Sequence, residues 1–158
     1  MIELPASAQK VQDAAHALGL DIAVAEMAES TRTAEDAAAA CGVTVGQIVK
    51  SLVFMGAASG KPYLLLVSGS NRVNEKGVAA HLGEKLKRPD ADAVRALTGY
   101  AIGGIPPFGH TTQLATYMDR DLLQYEVIWA AAGTPKAVFR TEPAALRDAA
   151  GAIVIDVK

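Results

Sequence analysis

The sequence predicts an α+β domain built on a mixed β-sheet that curls toward a barrel, with helices on its flanks. Two observations carry this. Apolar segments of strand length outnumber helical ones, and a hairpin-type link sits among connections that carry helices.

The elements follow in order. Ser7–Leu18 has Val11, Ala14, Ala15 and Leu18 at helical spacing, with Gly19 as its stop. Asp21–Met27 alternates as a strand does. Thr33-Ala-Glu-Asp36 is a capping-box pattern that opens a short alanine-rich helix ending at Cys41-Gly42, and Thr44 with Gln47 repeats it weakly. Ile48–Met55 is rich in β-branched and large apolar residues and reads as a strand. Gly56–Pro62 is its turn, and Tyr63–Ser68 the returning strand. Helices are expected at Asn74–Leu82 and Ala91–Leu97, joined by Gly83–Pro89. Tyr100–Ile102 is expected as a short strand leading into Gly103–His110. Gln113–Met118, Glu126–Ala131 and Ala137–Arg140 read as strands. Thr141-Glu-Pro opens a last helix with Pro143 in its first turn, and Ile153–Val157 closes the sheet.

A length of 158 residues fits one domain, 1–158. Apolar residues make up 51% and charged residues 20%, a globular composition. The longest apolar runs, such as Tyr63–Val67 and Val127–Ala132, are too short to span a bilayer. The N-terminus lacks a signal-peptide pattern and the single Cys41 excludes an internal disulfide, so a cytoplasmic protein is expected. Formal net charge is −2, which argues against a large basic surface and leaves room for a small local patch.

Several chemistries have no motif here. There is no phosphate loop, dinucleotide fingerprint, paired CxxC or GxSxG elbow, and His16, His81 and His110 lack metal-ligand spacing. No cofactor and no metal are expected. Cys41, at a helix end, reads as an inert thiol. Two features remain. Lys50 lies within an apolar strand, sharing a face with Ile48, Leu52 and Phe54, while Val49, Ser51, Val53 and Met55 form the other. With both faces apolar, its ammonium needs a partner, an exit to a cleft or a shifted pKa. The alternative is an edge-strand lysine that blocks sheet pairing. The second feature is Gly99-Tyr-Ala-Ile-Gly-Gly-Ile-Pro-Pro-Phe-Gly-His110. Its glycines permit close backbone approach and its prolines fix φ, so it is either a rigid loop offering N–H groups to an anion or an ordinary tight connection.

Three stretches together resemble the YbaK/EbsC family, the prolyl-tRNA synthetase editing-domain-like superfamily. They are Thr33-Ala-Glu-Asp-Ala-Ala with Cys41-Gly-Val and Ile48-Val-Lys-Ser-Leu-Val-Phe54, then Leu64-Leu-Leu-Val-Ser-Gly with Asn71-Arg-Val, then Thr98–Gly109 with its GxxxP turn. Each is short, and their order and spacing are specific. The resemblance implies a mixed, partly barrel-like sheet with flanking helices. It implies a free-standing aminoacyl-tRNA deacylase acting in trans, on tRNA for proline carrying a small wrong amino acid such as alanine or cysteine. Its partners would be aminoacyl-tRNA and, transiently, prolyl-tRNA synthetase, with no membrane and no DNA.

Carried over by residue, Lys50 lines the substrate pocket, Gly103 and Pro107 begin and end the GxxxP turn, and Gly109 and His110 follow it. The expected catalytic set is Lys50, Gly103, Gly104, Pro107 and Gly109. The expected substrate contacts are Thr33, Ser68, Asn71, Ile105, Phe108 and His110. Lys85, Lys87 and Arg88, the densest basic cluster, are expected to meet tRNA phosphates. No protein nucleophile stands out, which agrees with attack by water or by a group of the substrate. Two other readings of the same residues are a non-catalytic tRNA-binding or synthetase-associated module and a small-molecule esterase.

Overall fold

The computed structural model describes residues 3–158. Helix α1 (Ala6–Ala17) turns Ala8, Val11 and Ala15 inward. After strand β1 (Ala25–Glu26), helix α2 (Ala34–Cys41) starts where Thr33 accepts the Asp36 amide and stops at Gly42. A single 3₁₀ turn, Val45–Gln47, is closed by Thr44 and Gln47 as a capping box. Strands β2 (Ile48–Gly56) and β3 (Pro62–Ser68) form an antiparallel hairpin running from Val49 opposite Ser68 to Met55 opposite Pro62. Its turn is clamped by Glu84, which accepts from the amides of Ala58 and Ser59 and the hydroxyls of Ser59 and Tyr63.

Helix α3 (Glu75–Leu82), strand β4 (Leu86–Lys87) and helix α4 (Ala91–Thr98) follow. Strand β5 (Ala115–Asp119) runs into a 3₁₀ turn, Arg120–Gln124. Strands β6 (Ile128–Ala131) and β7 (Ala137–Thr141), helix α5 (Pro143–Ala150) and strand β8 (Ile153–Ile155) complete the described chain.

All eight strands join one mixed sheet in the order β1-β7-β6-β2-β3-β5-β8, with β4 beside the far end of β2. The β2–β6, β3–β5 and β5–β8 pairs are parallel, and the others antiparallel. Both faces are covered, which explains why β3 is an unbroken apolar run rather than an alternating one. Leu64 and Leu66 enter the main core with Val49, Val53, Val11 and Leu146. Leu65 and Val67 pack with Phe54 and Val78 on the opposite face. Further along that face, Ile48 packs on Ala37 and Ala38 of α2.

Three expected elements differ. Tyr100–Ile102 is not a strand, because its polar groups are used locally: the Tyr100 amide bonds Thr98 Oγ1 at 3.0 Å and the Ala101 carbonyl accepts the Gly104 amide at 3.0 Å. The strand expected at Asp21–Met27 shrinks to β1. Ile22 and Val24 are buried, but the Val24 amide goes to the Gln12 side chain, and only Ala25 and Glu26 meet a ladder partner. The Gly83–Pro89 link contains β4, two residues long and too short to show a pattern.

Candidate active site

A gap in the sheet makes the candidate site. Strand β2 pairs with β6 only at Ile48–Trp129 and Val49–Ala130, and with β4 only at Met55 and Gly56. From Lys50 to Phe54 that edge of β2 has no strand partner among the described residues. A cavity of about 400 Å³ opens there. Its walls are Lys50, Ser51 and Leu52 on one side and Trp129–Ala131 on the other. The start of α2, with Thr33 and Glu35, and the loop residues Gly103 and Ile105 complete it.

Lys50 occupies the face of β2 that α2 and α3 cover, with Ile48 on one side and Phe54 on the other. Its ammonium is only half-buried, and it donates to the carbonyl of Asn71 at 2.5 Å. Burial lowers the amine below the ordinary lysine value. Glu35 and Asp119 pull it back up, and Arg72 pushes it further down. The strand thus holds a cation beside a cavity by partnering it with a carbonyl, one of the outcomes its apolar setting requires.

The glycine-proline loop divides into two parts. Gly103 has φ +96°, and a Cβ there would lie 2.5 Å from Arg32 Cγ, so the Arg32 stem lies across it. The amides of Gly103 and Ile105 make no hydrogen bond among the described residues, and both residues line the cavity. Gly104 between them is structural. Its amide is spent on Ala101, its carbonyl accepts the Gly133 amide at 2.9 Å, and a Cβ would press on the backbone of Gly133 and Thr134 at 3.1 Å. Pro107 and Phe108 are buried away from the cavity lining, with the Phe108 ring 5.6 Å from that of Phe139. Gly109 sits against Ala14 of α1. His110 folds back onto the loop, its Nε2 2.7 Å from the Pro106 carbonyl, and burial lowers its pKa.

Lys50, Gly103, Thr33 and Ile105 therefore meet at one cavity, whereas Gly104, Pro107, Phe108, Gly109 and His110 shape the loop behind it. Ser68 is fully buried outside the lining, its amide on Asp119 and its hydroxyl on the Gly46 carbonyl. Asn71 also lies outside the lining, and its side chain faces Asp119 and Asp121. Lys85 and Lys87 are exposed, Lys87 opposite Met55. Arg88 pairs with Glu75 at 3.2 Å and covers the Phe54 ring at 5.7 Å, about 13 Å along the strand from Lys50. Burial pushes the Cys41 thiol up, away from nucleophilic character.

Several lining residues carry no sequence signal. Thr31 is buried and fastens the segment before α2 to the β6–β7 turn, with its amide and hydroxyl both on the Pro135 carbonyl at 2.7 and 2.9 Å. Ser51 places a buried hydroxyl without a partner among the described residues in the wall. Trp129 lies opposite Ile48. No helix among the described residues is long and apolar enough to cross a membrane.

Comparison with known proteins agrees with this geometry. The model of the aminoacyl-tRNA editing domain matches residues 28–149, which include all the cavity-lining residues. The uncharacterized protein YwhH of Bacillus subtilis is 29% identical over 79% of each chain. EbsC of Enterococcus faecalis, provisionally named a Cys-tRNA(Pro)/Cys-tRNA(Cys) deacylase, is 32% identical over 66% of this chain and 64% of its own. A crystal structure provisionally described as a trans-editing enzyme for prolyl-tRNA synthetase is 49% identical, covers 99% of each chain and superposes with a TM-score of 0.93. Fold, signature loop and family model thus converge, and this chain belongs to the aminoacyl-tRNA editing domain family, in its YbaK branch.

Proposed function

We propose that the chain, acting as one domain over 1–158, is a free-standing deacylase in the cytoplasm. It hydrolyses the ester of mischarged aminoacyl-tRNA, tRNA for proline carrying a small wrong amino acid such as alanine or cysteine. The observation that carries this reading is the gap between β2 and β6. It joins a lysine and a glycine-proline loop, 53 positions apart from Lys50 to Gly103, at a single cavity. A volume of about 400 Å³ is at the small end of ligand sites and suits an aminoacyl group rather than a long chain. The full-length likeness to a structure described as a trans-editing enzyme supports action in trans and a transient encounter with prolyl-tRNA synthetase.

An aminoacyl ester is already activated, so positioning and oxyanion stabilisation are enough. In this reading the free amides of Gly103 and Ile105 receive the carbonyl oxygen, each such donor being worth roughly 2.7–4 kcal/mol. The Lys50 ammonium holds the terminal ribose or phosphate, or stabilises the developing charge. Water or a group of the substrate attacks, the ester C–O bond breaks, and the tRNA hydroxyl leaves with a proton. The test is hydrolysis across a panel of tRNAs for proline charged with alanine, cysteine, serine and proline. Turnover confined to one or two small residues supports the reading. Uniform inertness across the panel, with tRNA binding retained, would instead make the chain a binding module.

A further inference from the structure

Behind Lys50 stands a buried carboxylate that the reaction scheme above does not use. Asp119, at the end of β5, is 1% exposed. One of its oxygens, Oδ2, accepts the Ser68 amide at 3.0 Å and the Asn71 side-chain amide at 2.8 Å. The other accepts the Asp121 amide at 2.9 Å. The same Asn71 amide nitrogen also donates to Asp121 Oδ2 at 2.8 Å, and Asp121 is held in turn by Lys158 at 2.9 Å. The main chain of Asn71 supplies the carbonyl that receives Lys50. A chain of bonds therefore leads from the end of β5 to the ammonium at the cavity: Asp119, the Asn71 side chain, the Asn71 carbonyl, Lys50.

The chemistry of each link fits that purpose. A carboxylate is costly to bury, and Asp119 is held by three protein N–H groups that compensate for the water it has lost. Two of those groups, on Ser68 and Asn71, bracket the turn that follows β3, where the backbone N–H of Asn71 donates to the Ser68 carbonyl at 2.9 Å. Fixing that turn fixes the direction of the Asn71 carbonyl. Without it, a lysine with a flexible four-carbon stem has no reason to keep one position at the cavity.

We propose that Asp119 is a positioning residue for Lys50, acting through Asn71 to set where the ammonium stands at the cavity. The idea rests on the deacylase reading only for its consequence in turnover; the placement of Lys50 is a property of the free protein. Three charged groups act on the ammonium: Glu35 from α2, Arg72 from the turn after β3, and Asp119 from β5.

The experiment compares wild type, Asp119→Asn and Asn71→Ala. Asp119→Asn sets an amide donor against the donors of Ser68 and Asn71. Asn71→Ala leaves Asp119 its two backbone partners and serves if the first variant does not fold. Lysine reactivity is measured by competitive labelling with an amine-reactive reagent and mass spectrometry, with Lys61 and Lys136 as internal references. In the variants Lys50 reactivity should rise several-fold while the references stay constant. In parallel, kcat for deacylation should fall roughly ten- to hundredfold, the scale of a misplaced catalytic group, with KM for the minimal substrate changing less. Unchanged Lys50 labelling in a folded variant overturns the proposal, as does a rise shared by all lysines, which reports loosening of the fold. Altered labelling with no deacylation even by wild type leaves the positioning intact and refutes the enzyme reading instead.

Discussion

Val49 of β2 faces Ala130 of β6 at the last rung the two strands share, and both line the cavity that continues along β2 past Lys50, Ser51 and Leu52. Parallel strands that part in this way leave an unpaired backbone edge and a space between side chains. The site is a consequence of where pairing stops.

Replacing Lys50 by alanine or methionine should lower kcat about 10²–10³-fold, the loss typical of a group that stabilises developing charge. The fold should not suffer. Burial lowers the amine in the folded state, so at neutral pH the ammonium is penalised relative to the unfolded chain. A depressed lysine value favours folding only above the unfolded value, and that advantage is lost as pH falls through the folded one. Lys50→Met should therefore match or exceed the wild-type thermal midpoint at pH 7. Calorimetry beside single-turnover kinetics checks both halves, and a clear loss of midpoint would show that the Asn71 contact dominates the burial cost.

The two adjacent glycines should separate function from fold. Gly103→Ala forces a side chain into positive φ, costing about 1–2 kcal/mol, and displaces the flexible Arg32 stem at the cavity. Its kcat should drop more than its affinity for tRNA. Gly104→Ala meets backbone at 3.1 Å, where little can give. It should lower the thermal midpoint by several degrees. Kinetics and thermal melts on both variants decide, and an equal effect of the two on turnover would count against free amides at Gly103 and Ile105.

Acid should loosen the loop through His110. Its folded value is lowered by burial, so the imidazole is neutral in the native state at pH 7. Protonation then favours the unfolded chain, and stability is lost as pH falls from the ordinary imidazole value, about 6.5, toward the lower folded one. Wild type should lose thermal midpoint as pH falls below about 6.5, and His110→Gln should lose less. Parallel pH–stability curves for the two proteins would contradict this.

Phosphate contacts should come from Lys85 and Lys87, which form no ion pair among the described residues, more than from Arg88, which Glu75 already engages. Lys85→Glu and Lys87→Glu should each weaken tRNA binding and flatten the plot of log affinity against log salt by about 0.7–0.9. Hydrolysis of a minimal aminoacyl-adenosine should be untouched. An unchanged salt slope would move the phosphate contacts elsewhere on the surface.

Much of this was legible in the chain. The apolar runs of β2 and β3, their turn, the cap at Thr33 and Pro143 in the first turn of α5 are local signals, and the structure keeps them. Lys50 stood out because a charge in an apolar strand needs a reason, and the glycine-proline loop because its residues constrain φ. What could not be read depends on pairing across distance. Trp129 reaches the cavity only through its register with Ile48, and Thr31 only through Pro135. Tyr100–Ile102 looked like a strand by composition, but Ile102 is 50% exposed and the segment's polar groups close local turns. Ser68 and Asn71 looked like substrate contacts, and the structure turns their side chains toward buried polar partners.

A deacylase site in the cavity between β2 and β6 should cleave a wrong aminoacyl ester and spare the correct one. The most direct measurement is release of radiolabelled amino acid from alanyl- and prolyl-tRNA for proline, at equal enzyme excess, by wild type and Lys50→Ala. Wild type should lose alanine rapidly and retain proline, and Lys50→Ala should show near-background loss. Alanine released equally fast by both proteins would contradict it, because the chemistry would then lie outside the site described.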